Sequence, residues 1–451
     1  MRVAVWSPLP PSPSGIADYV AETLGELTRD AAVEVVVEDP LAVDEQWRQL
    51  VRVCRPGEET PPDLDVYHVG NSPAHAYVHR AGLARPGVAV LHDWNLHYLH
   101  LGETVERGDP EPYLREMRRA YGAAGTLLGR QISRALGGEI LPALYPLNER
   151  VLEESLAVVA LSRTVARLAA RAVPGRPVLH LPHHIALPLA ELPTRAEARR
   201  RLDLPADALI VTAPGLATAA KRLDVAVRVV ARLRARFDRL HLVVAGGVDP
   251  RLPLEEWIRK AGLQGAARVT GRVDLADFVR HLVAADVVLA LRFPSFGEMS
   301  GAVVRAMGVG RPVLVTAGTP PADEMPDGTV VPVDAGLSEE AELEALLSRL
   351  LADEPLRQSI GRLARAHVLE QHDLPRTVRR LHAFLAEAHQ RKDELSAAIA
   401  QDRAEPGTML GYFKEEVRWG ARDLGLTGAH LGLDDLLSDL VKARPSVQSG
   451  L

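Results

Sequence analysis

A chain of 451 residues exceeds what one ordinary hydrophobic core organises and predicts two or three domains, while 47% apolar and 25% charged residues give the balance of a soluble globular protein. A net charge of −6 argues against a general nucleic-acid binder, and the single cysteine, Cys54, excludes an internal disulfide and a cysteine cluster for zinc or iron–sulfur. No apolar run approaches the roughly twenty residues that span a bilayer, and no secretory signal separates Met1 from the first strand-like run, so a cytoplasmic location is expected.

The first run, residues 3–6, leads through a proline-rich loop, 7–14, to Gly15 at the start of a helix predicted over 16–27. A stiff loop that delivers a glycine to a helix start suits a ligand approaching the backbone closely, and simple loop stiffening explains it equally well. Further β-branched runs at 33–37, 66–69, 88–91 and 158–161 alternate with helical patterns and imply a doubly wound parallel sheet. The run 88–91 ends in His92-Asp93-Trp94, with His97 a turn later. A histidine and a carboxylate at a strand's carboxyl end suit work on substrate hydroxyls. A metal held by His92, Asp93 and His97 lacks a fourth ligand, and no metal is expected.

From 97 to 148 the pattern turns helical, and Arg115, Arg118, Arg119, Arg130 and Arg134 alternate with Leu114, Met117, Tyr121, Leu127 and Leu128. A lid, an acceptor platform and a weak membrane-surface contact all fit this face, although a solvated arginine face over a small satellite core requires less. The proline-rich stretch 181–193 is read as the linker, with His183-His184 as part of its hinge.

The βα rhythm then recurs. Strands are predicted at 209–213, 240–245, 267–270, 287–291, 313–316 and 329–333, and helices at 223–236, 254–261 and 275–284. The fold class is therefore α/β, with two Rossmann-like doubly wound parallel sheets facing across a cleft: residues 1–185 form the first domain and 186–370 the second. A helix over 371–390 returns to the first domain, and an extension over 391–451 has no assigned role.

Within the second half, the strand 209–213 passes through Pro214-Gly215 to Lys221-Arg222 at a helix start. Two cations there oppose the helix dipole unless an anion sits beside them, or unless Arg222 pairs with Asp224 or another carboxylate. Backbone groups of Arg272 and Val273, after another strand, are placed to meet a base edge. The stretch 293–316, FPSFGEMSGAVVRAMGVGRPVLVT, joins a turn-rich loop to a helix start and a buried strand. Gly297 and Gly301 bracket Glu298, Met299 and Ser300, which exposes amide groups where a helix begins and suits an anionic ligand.

Taken together, FGEMSGAVVRAMGVGRPVLVT, Gly215 with Lys221-Arg222, GRVDLADFVRHLVAADVVLAL and the loop ending at Gly15 resemble family four of the retaining glycosyltransferases over about residues 1–388. VYHVGNSPAHAYVHRAGLARPGVAVLHDWNLHYLH resembles a bacterial branch with an HD-x-x-LH stretch. The resemblance implies the glycosyltransferase B fold and metal-independent, retaining transfer of a sugar from a nucleotide diphosphate donor of UDP or GDP type. The acceptor would be a small molecule, lipid carrier or polysaccharide. No cofactor and no nucleic-acid partner are implied, and the protein would be cytoplasmic, at most peripheral to the inner face of the membrane.

By motif position, Lys221 and Arg222 would neutralise the diphosphate, Ser300 and Gly301 would present amides to it, Glu298 would bind donor-sugar hydroxyls, and His92 would line the sugar from the first domain. His92, Lys221 and Glu298 form the expected catalytic set. Gly15, Asp93, Gly215, Arg222, Arg272, Val273, Met299, Ser300, Gly301 and Arg305 form the expected donor-binding set. The sequence departs from the family at Arg305, which stands where a second glutamate usually holds the ribose, and at Leu216, which replaces a frequent arginine. An arginine cannot accept hydrogen bonds from ribose. A nucleotide-sugar 2-epimerase-like isomerase and a non-catalytic sugar-nucleotide binder are the alternatives.

Overall fold

The computed structural model describes residues 1–186 and 192–404. Part of the expected linker and the extension beyond 404 lie outside the described residues. In the first sheet, β1 (Arg2–Trp6), β2 (Ala32–Val36), β3 (Arg52–Cys54), β4 (Leu64–Val69), β5 (Val88–Leu91), β6 (Ala157–Ala160) and β7 (Val178–His180) run in the order β3-β2-β1-β4-β5-β6-β7. In the second, β8 (Leu209–Pro214), β9 (Leu240–Ala245), β10 (Ala267–Val269), β11 (Val287–Ala290), β12 (Val313–Thr316) and β13 (Val331–Val333) run β10-β9-β8-β11-β12-β13. All pairings are parallel, from Val3 opposite Val33 and Leu64 to Leu314 opposite Val331. Each order reverses once, between β1 and β4 and between β8 and β11, and the crevice at such a reversal is where open α/β sheets collect ligands.

The strands are apolar because helices cover both faces. Val3 and Val5 of β1 pack on Tyr19, Val20, Leu24 and Leu27 of the helix Gly15–Leu27, and Ala4 and Trp6 pack on the other side with Tyr67 and Tyr77. Ser14 starts that helix by accepting from the Ile16 N–H at 3.2 Å. In the second sheet Val211 and Ala213 meet Leu223, Val227 and Val230 of the helix Leu223–Leu233, which itself packs on the helix Glu339–Ala352. The helix Leu374–Gln390 packs against Gly15–Leu27. Strands β3 and β7, three residues each at the edges of the first sheet, were not among the predicted strands.

Between β5 and β6 the chain is helical over His97–Glu103, over Glu111–Ile132 with a kink at Tyr121-Gly122, and over Ile140–Leu144. Tyr113, Met117, Ala120, Ile132 and Leu147 form a satellite core, and Arg115, Arg118, Arg119, Arg130 and Arg134 are exposed. Arg119 reaches Glu153 at 2.5 Å.

Contacts around the rim clasp the two sheets' cleft. The Trp94 and Asn95 N–H groups donate to the Phe296 carbonyl at 2.9 and 3.1 Å. Arg272 donates from Nη2 to the Pro11 carbonyl at 2.6 Å, and Glu324 caps the helix Arg163–Ala172 by accepting from the Arg163 and Thr164 N–H groups at 2.7 and 2.9 Å.

Candidate functional site

The loops that leave β8 and β11 flank the reversal of the second sheet and supply the site's charge. After β8 the chain turns at Gly215, with φ of +85°, and a Cβ there would stand 2.7 Å from the Lys221 Nζ. Only glycine meets both demands, a left-handed backbone and room for the ammonium. Lys221 donates to the Pro214 carbonyl. Burial, then the positive charge of Arg292, pushes its ammonium down to about 7, with Glu298 opposing.

Arg292, two residues after β11, places Nη1 2.6 Å from Glu298 Oε1. Glu298 Oε2 also accepts from the Phe296 N–H at 2.7 Å, which fixes the carboxylate in the turn before the helix Gly301–Gly308. Ser300 caps that helix, accepting from the Val303 N–H at 3.4 Å, and the first-turn amides of Ser300 and Gly301 have no carbonyl a turn earlier to receive them. Met299 is buried beside them.

From the first sheet, the end of β5 brings His92 and Asp93 to the same space. Asp93 accepts from the Asn71 N–H at 2.8 Å. Burial, then the Glu298 charge, pushes its carboxyl up to about 7. His92 Nε2 lies 3.0 Å from His68 Nδ1. Around Tyr19 sit the rings of His68, His92, His183 and His184, with centroids 4.0–6.0 Å away. Burial depresses all four histidines, His68 and His183 to about 3, so this floor is polar yet uncharged at neutral pH. His183 and His184, expected as part of the linker's hinge, are buried against Tyr19.

Arg222 does not join Lys221. It adopts a left-handed conformation at the start of the helix Leu223–Leu233, and its guanidinium grips Glu339, with Nε 3.0 Å from Oε2. Glu339 is 4% exposed and demands a cation, which leaves Arg292 as the arginine beside Lys221.

Arg305 likewise turns to the first sheet's helix, where it pairs with buried Glu22. A Cβ on Gly301 would stand 2.9 Å from both Arg305 Nη1 and His183 Nε2. Arg272 uses its side chain on the Pro11 and Ser12 carbonyls, with Val273 next to it in the loop after β10. Gly15 faces open space, with nothing within 4 Å of an added Cβ. His97 lies apart from His92 and Asp93, its ring nitrogens engaged by the Tyr145 carbonyl at 2.6 Å and the Tyr113 hydroxyl at 2.8 Å.

Arg292, Glu22 and His68 line the same space and were not singled out by sequence patterns, and His183 was expected only as part of the hinge. A charged residue closing the buried run of β11 and standing before Phe293-Pro294 was the available signal for Arg292.

Residues 194–367 match the model of the family described as Glycosyl transferases group 1. Two curated relatives are D-inositol 3-phosphate glycosyltransferases. That of Kineococcus radiotolerans is 32% identical over 187 residues, 37% of this chain and 42% of the relative. That of Stackebrandtia nassauensis is 34% identical over 184 residues, 38% of this chain and 40% of the relative. The chain spans about two fifths of the length of these relatives.

Among solved structures, HepE of Anabaena in complex with UDP aligns with a TM-score of 0.60 at 16% identity, covering 86% of this chain and 100% of that one. WaaG, a glycosyltransferase involved in lipopolysaccharide biosynthesis, aligns with a TM-score of 0.56 at 16% identity, covering 83% and 98%. The chain therefore has the fold of two parallel-sheet α/β domains seen in these glycosyltransferase B structures, and over residues 194–367 it matches the group 1 glycosyltransferase model.

Proposed function

We propose that this protein transfers a sugar from a nucleoside diphosphate donor to an acceptor hydroxyl with retention at the anomeric carbon. The observation that carries the reading is the convergence of Lys221, Arg292 and the start of the helix Gly301–Gly308 at the sheet reversal, opposite His92 and Asp93. The diphosphate lies against the two cations and the Ser300 and Gly301 amides. Gly215 and Gly15 leave room for it, and the backbone at Arg272 and Val273 meets the base. UDP in the solved HepE complex supports a uridine donor.

In the reaction the bond between the anomeric carbon and the diphosphate oxygen stretches and the sugar gains oxocarbenium character. The acceptor hydroxyl attacks the same face and gives its proton to the departing phosphate oxygen. Glu298, once separated from Arg292, accepts hydrogen bonds from donor-sugar hydroxyls, and Met299 packs beside it. His92, uncharged, lines the sugar from the first sheet. Charge stabilisation on the leaving diphosphate dominates, so Lys221→Ala should slow turnover at saturating donor by about a hundredfold or more. No metal is required by this scheme.

The Asp93 carboxyl, held up by burial and by the Glu298 charge, favours a second reading, acceptor-free isomerisation of the donor with Asp93 as the proton-carrying group. Incubation with radiolabelled UDP- and GDP-sugars, with and without sugar, lipid-linked and polysaccharide acceptors, separates transfer from isomerisation and from binding alone. Anomeric proton coupling in the product tests retention.

A further inference from the structure

At the amino ends of β11 and β12, the edge of the second sheet opposite the cleft, lies a cavity of about 180 Å³. It is lined by Arg195, Asp286, Arg311, Glu354, Arg357 and Gln358. The volume falls below the ~300 Å³ at which pockets for drug-sized ligands begin, so only a small group fits.

Three guanidinium groups line this space against two carboxylates. Asp286 is already shared: it accepts from Arg195 Nη1 at 2.8 Å, Arg199 Nη2 at 2.7 Å and the Ile210 N–H at 2.7 Å. Arg357 donates from Nη1 to the Leu350 and Leu351 carbonyls at 2.6 and 2.8 Å, and Glu354 lies 3.9 Å from Arg195. Arg311 differs from its neighbours: among the described residues its side chain has no hydrogen bond or ion pair, and its buried Nε lacks any acceptor. Burial, then the neighbouring Arg195, pushes its guanidinium down to about 10, with Asp286 opposing. A half-buried cation without an ion-pair partner, with three other arginines around it and Asp286 already shared between two of them, is unfavourable until an anion arrives. Glu354 and Arg357 belong to the first turn of the helix Glu354–Gln371, whose positive end adds to the field.

We infer that this cavity is a second anion site, which takes a phosphate group through the fork of Arg311, with Arg195 and Arg357 beside it. Free inorganic phosphate and the phosphate of a small monoester share this chemistry. The site is separate from the donor cleft and does not depend on the proposed transferase activity.

The test is calorimetric titration of the full chain with inorganic phosphate and, in a second arm, glycerol 3-phosphate. Ionic strength is held constant with chloride, and saturating UDP occupies the donor cleft. One phosphate per chain should bind in the millimolar range or tighter, Arg311→Met should weaken it at least about tenfold, and Lys221→Met should leave it unchanged. A stronger response to glycerol 3-phosphate identifies a monoester pocket, and an equal one a phosphate pocket. Without phosphate, Arg311→Met should melt no lower than the natural chain, because it removes an uncompensated charge. If Arg311→Met fails to fold, Arg311→Lys, which keeps the charge without the fork, should still weaken binding about tenfold. Absence of saturable binding, reproduction of the heat by chloride alone, or unchanged affinity in both Arg311 variants would overturn the proposal.

Discussion

Lys221 offers the sharpest measurement, because one buried ammonium couples fold stability to the anion it is held for. Its ordinary value of 10.5 drops to about 7 in the folded chain. Each pH unit of that displacement is worth about 1.4 kcal/mol, so the folded state carries a ceiling of about 5 kcal/mol of penalty whenever the ammonium is charged. Part of the side chain stays accessible, and solvent screening reduces the working expectation to about 2–3 kcal/mol.

The sign follows from proton counting. Between pH 7 and 10.5 the unfolded chain holds a proton that the folded chain has shed, so stability rises with pH across that window. Below pH 7 both states are charged and the full penalty applies. Lys221→Met removes the titration, and the difference in urea unfolding free energy between variant and natural chain should shrink by about 2–3 kcal/mol from pH 7 to pH 10. Saturating UDP should flatten the natural chain's profile, because the diphosphate keeps the ammonium charged. Parallel pH profiles for the two chains would refute the burial argument, and a profile indifferent to UDP would refute the placement of the diphosphate.

The remaining expectations concern its neighbours. Arg292→Ala should weaken UDP binding about tenfold or more, whereas Arg222→Ala should leave it within about twofold while lowering the melting temperature, since Glu339 loses its partner; the reverse pattern in calorimetry would return Arg222 to the diphosphate. Arg305→Met strands the buried Glu22 and should cost about 3–5 kcal/mol in urea unfolding, most of it recovered by adding Glu22→Gln; an additive double variant would contradict the pair. Asp93, raised from 3.8 to about 7, destabilises the fold as pH climbs through that interval, so Asp93→Asn should melt above the natural chain at pH 8 and converge with it near pH 4. A constant offset across pH would remove Asp93 from the shared electrostatics.

What the sequence made legible divides along a physical line. Buried parallel strands advertise themselves as β-branched runs, and β9 and β12 follow from that rule to the residue. Strands β3 (RVC) and β7 (VLH) carry one or two β-branched or aliphatic residues each beside a polar one, too little to register as a run. Lys221-Arg222 was conspicuous because two cations oppose a helix dipole, but the partner that claims Arg222 lies 117 residues away, and a pattern local in sequence cannot contain it. The same holds for Arg305, whose carboxylate comes from the opposite domain across 283 residues, and for the ring cluster around Tyr19, assembled from β4, the end of β5 and the segment before Ile185.

These long-range pairings explain the resting state of the cleft. Lys221 pushed towards neutrality, Asp93 towards protonation, Arg292 held by Glu298 and four uncharged histidines are one electrostatic fact: a space closed between two sheets tolerates little net charge. On the proposed function, an arriving diphosphate shifts the two cations together and leaves the Asp93 carboxyl protonated. It restores the Lys221 proton and draws Arg292 from Glu298, and the freed carboxylate turns to the sugar. Donor binding and assembly of the sugar site are then a single event, which is why removing either cation should impair both.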